Sequence, residues 1–117
     1  SLSLIEISRS SKDIGSRARG QGGTLTQDEL TQGTFGTSNL GMFGTDTFAA
    51  IIVPPQSGIL AVWAIKNKPV VKNEKIVIRD IMNATISADH RVGDGAEAAT
   101  LMQEIQINLE NPINLFR

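Results

Sequence analysis

The sequence predicts a mixed α and β domain, on three observations. Apolar residues recur at helical spacing near both ends of the chain, a continuous apolar run of strand length sits in the middle, and a stretch with a period near two follows it around a polar turn. A length of 117 residues with 40% hydrophobic content suits one compact unit with an ordinary core.

From Leu4 through Ile7, Ile14 and Ala18 the apolar positions share a helical face, with Ser8, Arg9, Lys12 and Asp13 between them. Gly20-Gln21-Gly22-Gly23 is expected to end this helix. Thr26-Gln27-Asp28-Glu29 has the Thr-x-x-Glu pattern of a capping box, and Gly33 soon after it limits the helix to a short turn. Thr34-Phe35 and the following residues read as extended, and Asn39, Gly41 and Gly44 as an irregular glycine-rich loop. Residues 59–65 have the length and the β-branched, aromatic content of a strand, and their continuous apolarity predicts burial on both faces. Pro69-Val70-Val71, the polar Lys72-Asn73-Glu74 and Ile76-Val77-Ile78 predict a hairpin. Its second strand is expected to run on to residue 90, because Ile76, Ile78, Met82, Ala84 and Ile86 keep a period near two, with an irregularity around Asp80. After Gly95, the residues Ala98, Leu101, Ile105 and Leu109 line one face of a last helix that stops at Asn111-Pro112.

Composition narrows the function. Net charge is −1 and the basic residues are spread along the chain, so no stripe suited to a phosphate backbone exists and no nucleic-acid partner is expected. The absence of cysteine excludes disulfides, a thiol nucleophile and cysteine-based zinc sites. With a single histidine and no calcium-loop spacing, no metal is expected. The longest apolar run, Phe48 to Val53, ends at Pro54-Pro55, far short of the ~20 residues of a membrane helix, so no membrane partner is expected and an intracellular location is. The chain opens without methionine inside a predicted helix, as a portion of a longer polypeptide would.

The one histidine stands in Ser87-Ala88-Asp89-His90-Arg91-Val92-Gly93-Asp94-Gly95. It lies where a predicted strand gives way to a loop and then a helix, a place where α/β folds put reactive groups. Imidazole, with an ordinary pKa of about 6.5, is also the side chain suited to moving protons at neutral pH. Asp94 and Glu97 have the spacing of a helix cap, so capping competes with catalysis as the reason for Asp94. Arg91 has acids on both sides and is expected in an ion pair; Asp89 either orients the imidazole or is solvated; Gly93 and Gly95 supply the turn.

Ser38, in Gly36-Thr37-Ser38-Asn39-Leu40-Gly41, is the second candidate. As a nucleophile it is disfavoured: an esterase elbow needs glycine where Leu40 stands, and the order serine, histidine, aspartate is not that of the α/β-hydrolases. As a hydroxyl donor to an oxyanion it meets no such objection, and loop capping is the structural alternative.

Three ordered blocks, residues 33–44, 51–62 and 89–95, resemble the catalytic domain of the dihydrolipoamide acyltransferases, the E2 components of 2-oxoacid dehydrogenase complexes. The D-H-R-x-x-D-G signature at Asp89 to Gly95 is complete. The resemblance implies a chloramphenicol acetyltransferase-like two-layer sandwich, a mixed sheet packed by helices, of which residues 1–117 form the C-terminal half. It implies transfer of an acyl group from S-acyl-dihydrolipoamide to coenzyme A, with His90 as general base, Ser38 as oxyanion donor, Asp94 holding the active-site loop through charge pairing, and Arg91, Asp89 and Gly95 as support. Coenzyme A and lipoamide are substrates, the lipoyl group riding on a domain outside this chain. The implied partners are a homotrimer that assembles into a cubic or icosahedral core, and the E1 and E3 components through domains not in this chain. The implied location is the cytoplasm, or the mitochondrial matrix in a eukaryote. A catalytically inactive assembly fragment is the alternative. The chain departs from the family at Gly36-Thr37, where Thr-Ile is usual, and at Trp63, where glycine is common and where an indole would crowd a strand or a substrate channel.

Overall fold

A computed structural model describes residues 2–20 and 24–116. The chain forms two compact units, one of Thr34–Ala98 and one that joins Ser1–Gly33 to Ala99–Arg117.

The second of these is helical. α1, Leu4–Arg19, starts at a capping box in which the Ser3 hydroxyl accepts from the Glu6 amide at 3.3 Å and the Glu6 carboxylate accepts from the Ser3 amide at 2.7 Å. This satisfies amides that a helix start otherwise leaves open. α1 ends at Gly20; the rest of the expected terminator, Gln21 to Gly23, lies outside the described residues. α2, Gln27–Thr31, is the short helix that Thr26 and Glu29 predict, and the reciprocal bonds are both made. Arg17 ties the two helices together, 2.9 Å from Asp13 and 2.5 Å from Glu29. Its guanidinium, with help from the Thr26 amide, lowers Glu29 to about 2. α3, Gly95–Glu110, turns Ala98, Met102 and Ile105 to its half-buried side, while Leu101 and Leu109 stay exposed. The chain then enters a short 3-10 helix at Pro112–Leu115, as Asn111-Pro112 requires.

The other unit carries the strands: β1 (Gly36–Asn39), β2 (Gly58–Val62), β3 (Lys66–Lys72), β4 (Lys75–Ile81) and β5 (Ala84–Ala88). β2 is central in a three-stranded sheet, parallel to β1 and antiparallel to β5, which makes the sheet mixed. Ile59 and Ala61 of β2 are its buried hydrophobic residues, Ala61 at 1% exposure, whereas Leu60 and Val62 on the other face are half-buried, so the burial on both faces expected from the apolar run is complete on one face only. The strand is shorter than expected: pairing stops after Val62, with one more bond from the Trp63 amide to the Asn83 carbonyl at 3.2 Å, and Ile65 is exposed. Gly58 admits no side chain, since a Cβ there would meet Phe35 at 2.8 Å and the Ser87 carbonyl at 2.9 Å.

β3 and β4 form a separate antiparallel ribbon. The single long strand expected from residue 76 onward is therefore two strands in two sheets. The break falls at Met82-Asn83, beyond Asp80, which still pairs with Asn67. A period of two records alternation of side chains and is blind to a change of partner from β3 to β2, which is what occurs at the break.

The ribbon turns through Asn73 and Glu74, both in the left-handed region at φ 51° and 60°. Two such residues make the turn whose twist matches that of the flanking strands, and glycine is favoured at the second position because any Cβ there is strained. Glu74→Gly is expected to stabilise the fold by about 1 kcal/mol. Thermal unfolding checks this, and a lower Tm would contradict the turn assignment.

Candidate active site

The path of the chain out of β5 positions His90. Ala88 pairs with Gly58, and the Asp89 amide extends the ladder by donating to the Ser57 carbonyl at 2.9 Å. The chain then folds tightly: the amides of Val92 and Gly93 both donate to the Asp89 carbonyl, at 2.9 and 3.3 Å, with His90 in the turn. The imidazole is exposed and, among the described residues, takes part in no hydrogen bond or ion pair.

Asp89 does not orient it. Its carboxylate accepts from the Arg91 amide at 2.9 Å, from Arg91 Nε at 3.0 Å and from Nη2 at 2.6 Å. The Arg91 side chain, then its amide, lower the Asp89 carboxyl to about 2. The pair is thus whole above the ordinary carboxylate range and is lost as pH falls through about 2. With Arg91 88% exposed, the pair shapes the turn more than it stabilises the fold.

Asp94 is the cap of α3. Its Oδ1 accepts from the amides of Ala96 at 2.8 Å and Glu97 at 2.9 Å, and the Glu97 carboxylate accepts from the Asp94 amide at 2.9 Å. Among the described residues Asp94 enters no ion pair, so its partners in this chain are backbone amides rather than a charge. A Cβ at Gly93 would stand 2.9 Å from the Glu97 carboxylate, whereas a Cβ at Gly95 meets nothing within 4 Å. The Gly93 contact is with the mobile end of a side chain, which can shift, so close approach to the backbone explains neither glycine.

Ser38 sits within β1, half-buried, directly opposite Ala61. The loop after it is pinned: Asn39 Oδ1 accepts from the Gly41 amide at 2.9 Å, the Leu40 amide donates to the Val62 carbonyl at 3.4 Å, and Lys66 reaches the Gly44 carbonyl at 3.1 Å and Asp46 at 2.6 Å. The Lys66 clamp had no local signal, because its partners lie about 20 residues back in the sequence.

The register settles how Ser38 and the His90 turn stand in one chain. Ser38 shares a row with Ala61 and Thr85, whereas Ala88 lies three residues further along β5 and on the opposite edge of the sheet. At ~3.3 Å per residue and ~4.8 Å per strand, Ser38 and Ala88 are roughly 14 Å apart, and the chain continues away from Ser38 through Asp89. Within one chain the two candidates are not brought together.

The family described as "2-oxoacid dehydrogenases acyltransferase (catalytic domain)" matches residues 1–117. The chain belongs to this acyltransferase family. It is 46% identical over 117 residues to the mitochondrial dihydrolipoyllysine-residue acetyltransferase component of the pyruvate dehydrogenase complex of Schizosaccharomyces pombe, covering 97% of this chain and 24% of that protein. It is 43% identical over 114 residues to the succinyltransferase component of the 2-oxoglutarate dehydrogenase complex of Cupriavidus necator, covering 97% and 27%. The chain thus spans about a quarter of the length of these curated relatives. Among solved structures, the Azotobacter vinelandii dihydrolipoamide acetyltransferase superposes with a TM-score of 0.87 at 27% identity, over 99% of this chain and 47% of that one. That structure belongs to an investigation of a serine, a histidine and an asparagine in the enzyme's catalytic mechanism, spaced 52 and then 4 residues apart. The cubic core of a pyruvate dehydrogenase multienzyme complex also gives a TM-score of 0.87, at 26% identity and with the same coverage. The fold of this acyltransferase chain is therefore that of E2 catalytic cores, as the three sequence blocks led us to expect. Among the described residues no helix is long and apolar enough to cross a membrane, and the relatives are bacterial and mitochondrial.

Because Asp94 caps α3 through its side chain, Asp94→Ala is expected to cost about 1 kcal/mol of stability, while Asp94→Asn, which keeps an acceptor, costs far less. Denaturant unfolding of both variants checks this; equal losses would contradict the capping role.

Proposed function

We propose that this chain is the C-terminal half of an acyltransferase catalytic domain that moves an acyl group from S-acyl-dihydrolipoamide to coenzyme A. One observation carries the reading. Ser38 precedes His90 by 52 residues and Asp94 follows it by four, the spacings of the serine, histidine and asparagine studied in the Azotobacter enzyme. The free, exposed imidazole and the absence of any other histidine support it.

The chemistry follows from these groups. A thiol with an ordinary pKa of ~8.5 is mostly protonated at neutral pH, so His90 takes the proton of the coenzyme A thiol as sulfur attacks the thioester carbonyl. The carbonyl oxygen becomes an oxyanion, to which the Ser38 hydroxyl donates a hydrogen bond. Collapse breaks the bond to the dihydrolipoamide sulfur, and that sulfur receives the proton back from His90. No covalent enzyme intermediate forms and no metal is used. Asp94, through its cap, and Asp89, through Arg91, hold the turn that presents the imidazole.

Ser38 and His90 stand at opposite edges of one sheet, so the site is completed by the Ser38 of one copy facing the His90 of another. A homotrimer offers three such sites, and larger assembly of trimers into a cubic or icosahedral core accords with the solved core to which the chain is similar. E1 and E3 would join through other domains of the polypeptide. The location is the cytoplasm of a prokaryote or the mitochondrial matrix.

In the full-length enzyme, His90→Ala is expected to abolish acyl transfer without loss of assembly, and near-normal turnover would reject the assignment. Ser38→Ala is expected to lower turnover by ~10²-fold or more. Random co-assembly of equal amounts of the two variants separates sites between copies from sites within one: it restores about a quarter of wild-type activity in the first case and none in the second.

A further inference from the structure

We propose that Trp63 is the residue that limits the size of the acyl group, by standing as a wall beside Ser38; this rests on the reaction proposed above. Ala61 lies directly opposite Ser38, and the bond from the Trp63 amide to the Asn83 carbonyl carries the β2–β5 ladder one residue past Val62. Side chains two residues apart on extended backbone share a face, so Ile59, Ala61 and Trp63 lie on the face that holds Ser38. Trp63 is then the diagonal neighbour of Ser38, with Cα atoms roughly 8 Å apart, within reach of an indole. Between them stands Ala61 with a single methyl group, so on that side of Ser38 the first bulky side chain of this row is the indole.

That ring is held in place. It packs on Phe48, with centroids 6.3 Å apart and planes tilted by 37°. The loop after Ser38 runs against its backbone, since a Cβ at Gly41 would stand 3.0 Å from the Trp63 carbonyl. Trp63 as a whole is half-buried, which leaves part of its surface available to a ligand. Its one polar atom, Nε1, is buried and has no partner among the described residues. A buried indole N–H usually finds an acceptor, and among the described residues this indole meets its surroundings through its ring alone. Its contribution is bulk. The acyl class that fits beside a fixed indole is short and unbranched, and each added methylene costs about 10-fold or more when a pocket wall does not yield.

The test measures kcat/KM of the full-length enzyme for acetyl, propionyl, butyryl and isobutyryl dihydrolipoamide thioesters with coenzyme A. The wild type is expected to lose efficiency steeply with acyl size. Trp63→Gly is expected to raise the butyryl-to-acetyl ratio by at least ~10-fold, while Trp63→Phe, which removes Nε1 and keeps a ring, holds it within ~3-fold of wild type. Trp63→Leu serves if the glycine variant does not assemble, with a shift between those two. An unchanged ratio in an assembled Gly or Leu variant that still transfers acetyl overturns the proposal, as does a Phe variant as permissive as the glycine one. Absence of transfer from every thioester by the wild type would instead overturn the reaction itself.

Discussion

The structure depends on one strand being hydrogen-bonded on both edges. β2 pairs with β1 on one side and β5 on the other, and Ile59 and Ala61, its buried hydrophobic residues, lie on the face it shares with Ser38. Burial of that face sets the register, because a slip of one residue would turn Ile59 and Ala61 outward and every neighbour with them. The register in turn decides that Ser38 stands inside one edge strand and that the chain leaves the other edge toward His90.

The charges around the histidine are already engaged. Asp89 is drawn to Arg91 and Asp94 to the first amides of α3, so neither acid competes for the imidazole. Both serve as scaffolding: one closes the turn after β5, the other opens the helix that follows. His90 therefore stands on a turn braced at both ends, which leaves the backbone around it little conformational freedom.

A second theme is how much apolar surface the chain leaves open. In the β3–β4 ribbon Val71, Ile76 and Ile78 are each about three-quarters exposed, and Met42 and Ile51 in the loop between β1 and β2 are more so. Val71 and Ile76 are paired across the ribbon, and paired apolar residues left this open are uncommon on isolated soluble domains. Such exposure agrees with a chain spanning about a quarter of its relatives and with Ser38 and the His90 turn standing apart within one copy.

The sequence by itself determined what depends on near neighbours. Capping boxes at Thr26-Glu29 and Asp94-Glu97, the polar turn at residues 72–74, the apolar run of β2 and the stop at Asn111-Pro112 are local codes, and each reappears in the structure close to where it was read. The Asp89 to Gly95 signature and Ser38 were legible too, as a pattern of residue types in order. Tertiary structure decided what depends on pairing across distance. Periodicity could not see that β4 and β5 belong to different sheets, because alternation is the same whichever strand supplies the partner. Nor could it assign Asp89 to Arg91 in preference to His90, join Lys66 to Asp46, or hold Ser38 and His90 apart on opposite edges. Those outcomes are fixed by register and burial, which arise only when segments remote in sequence compete for the same hydrogen bonds and the same apolar face.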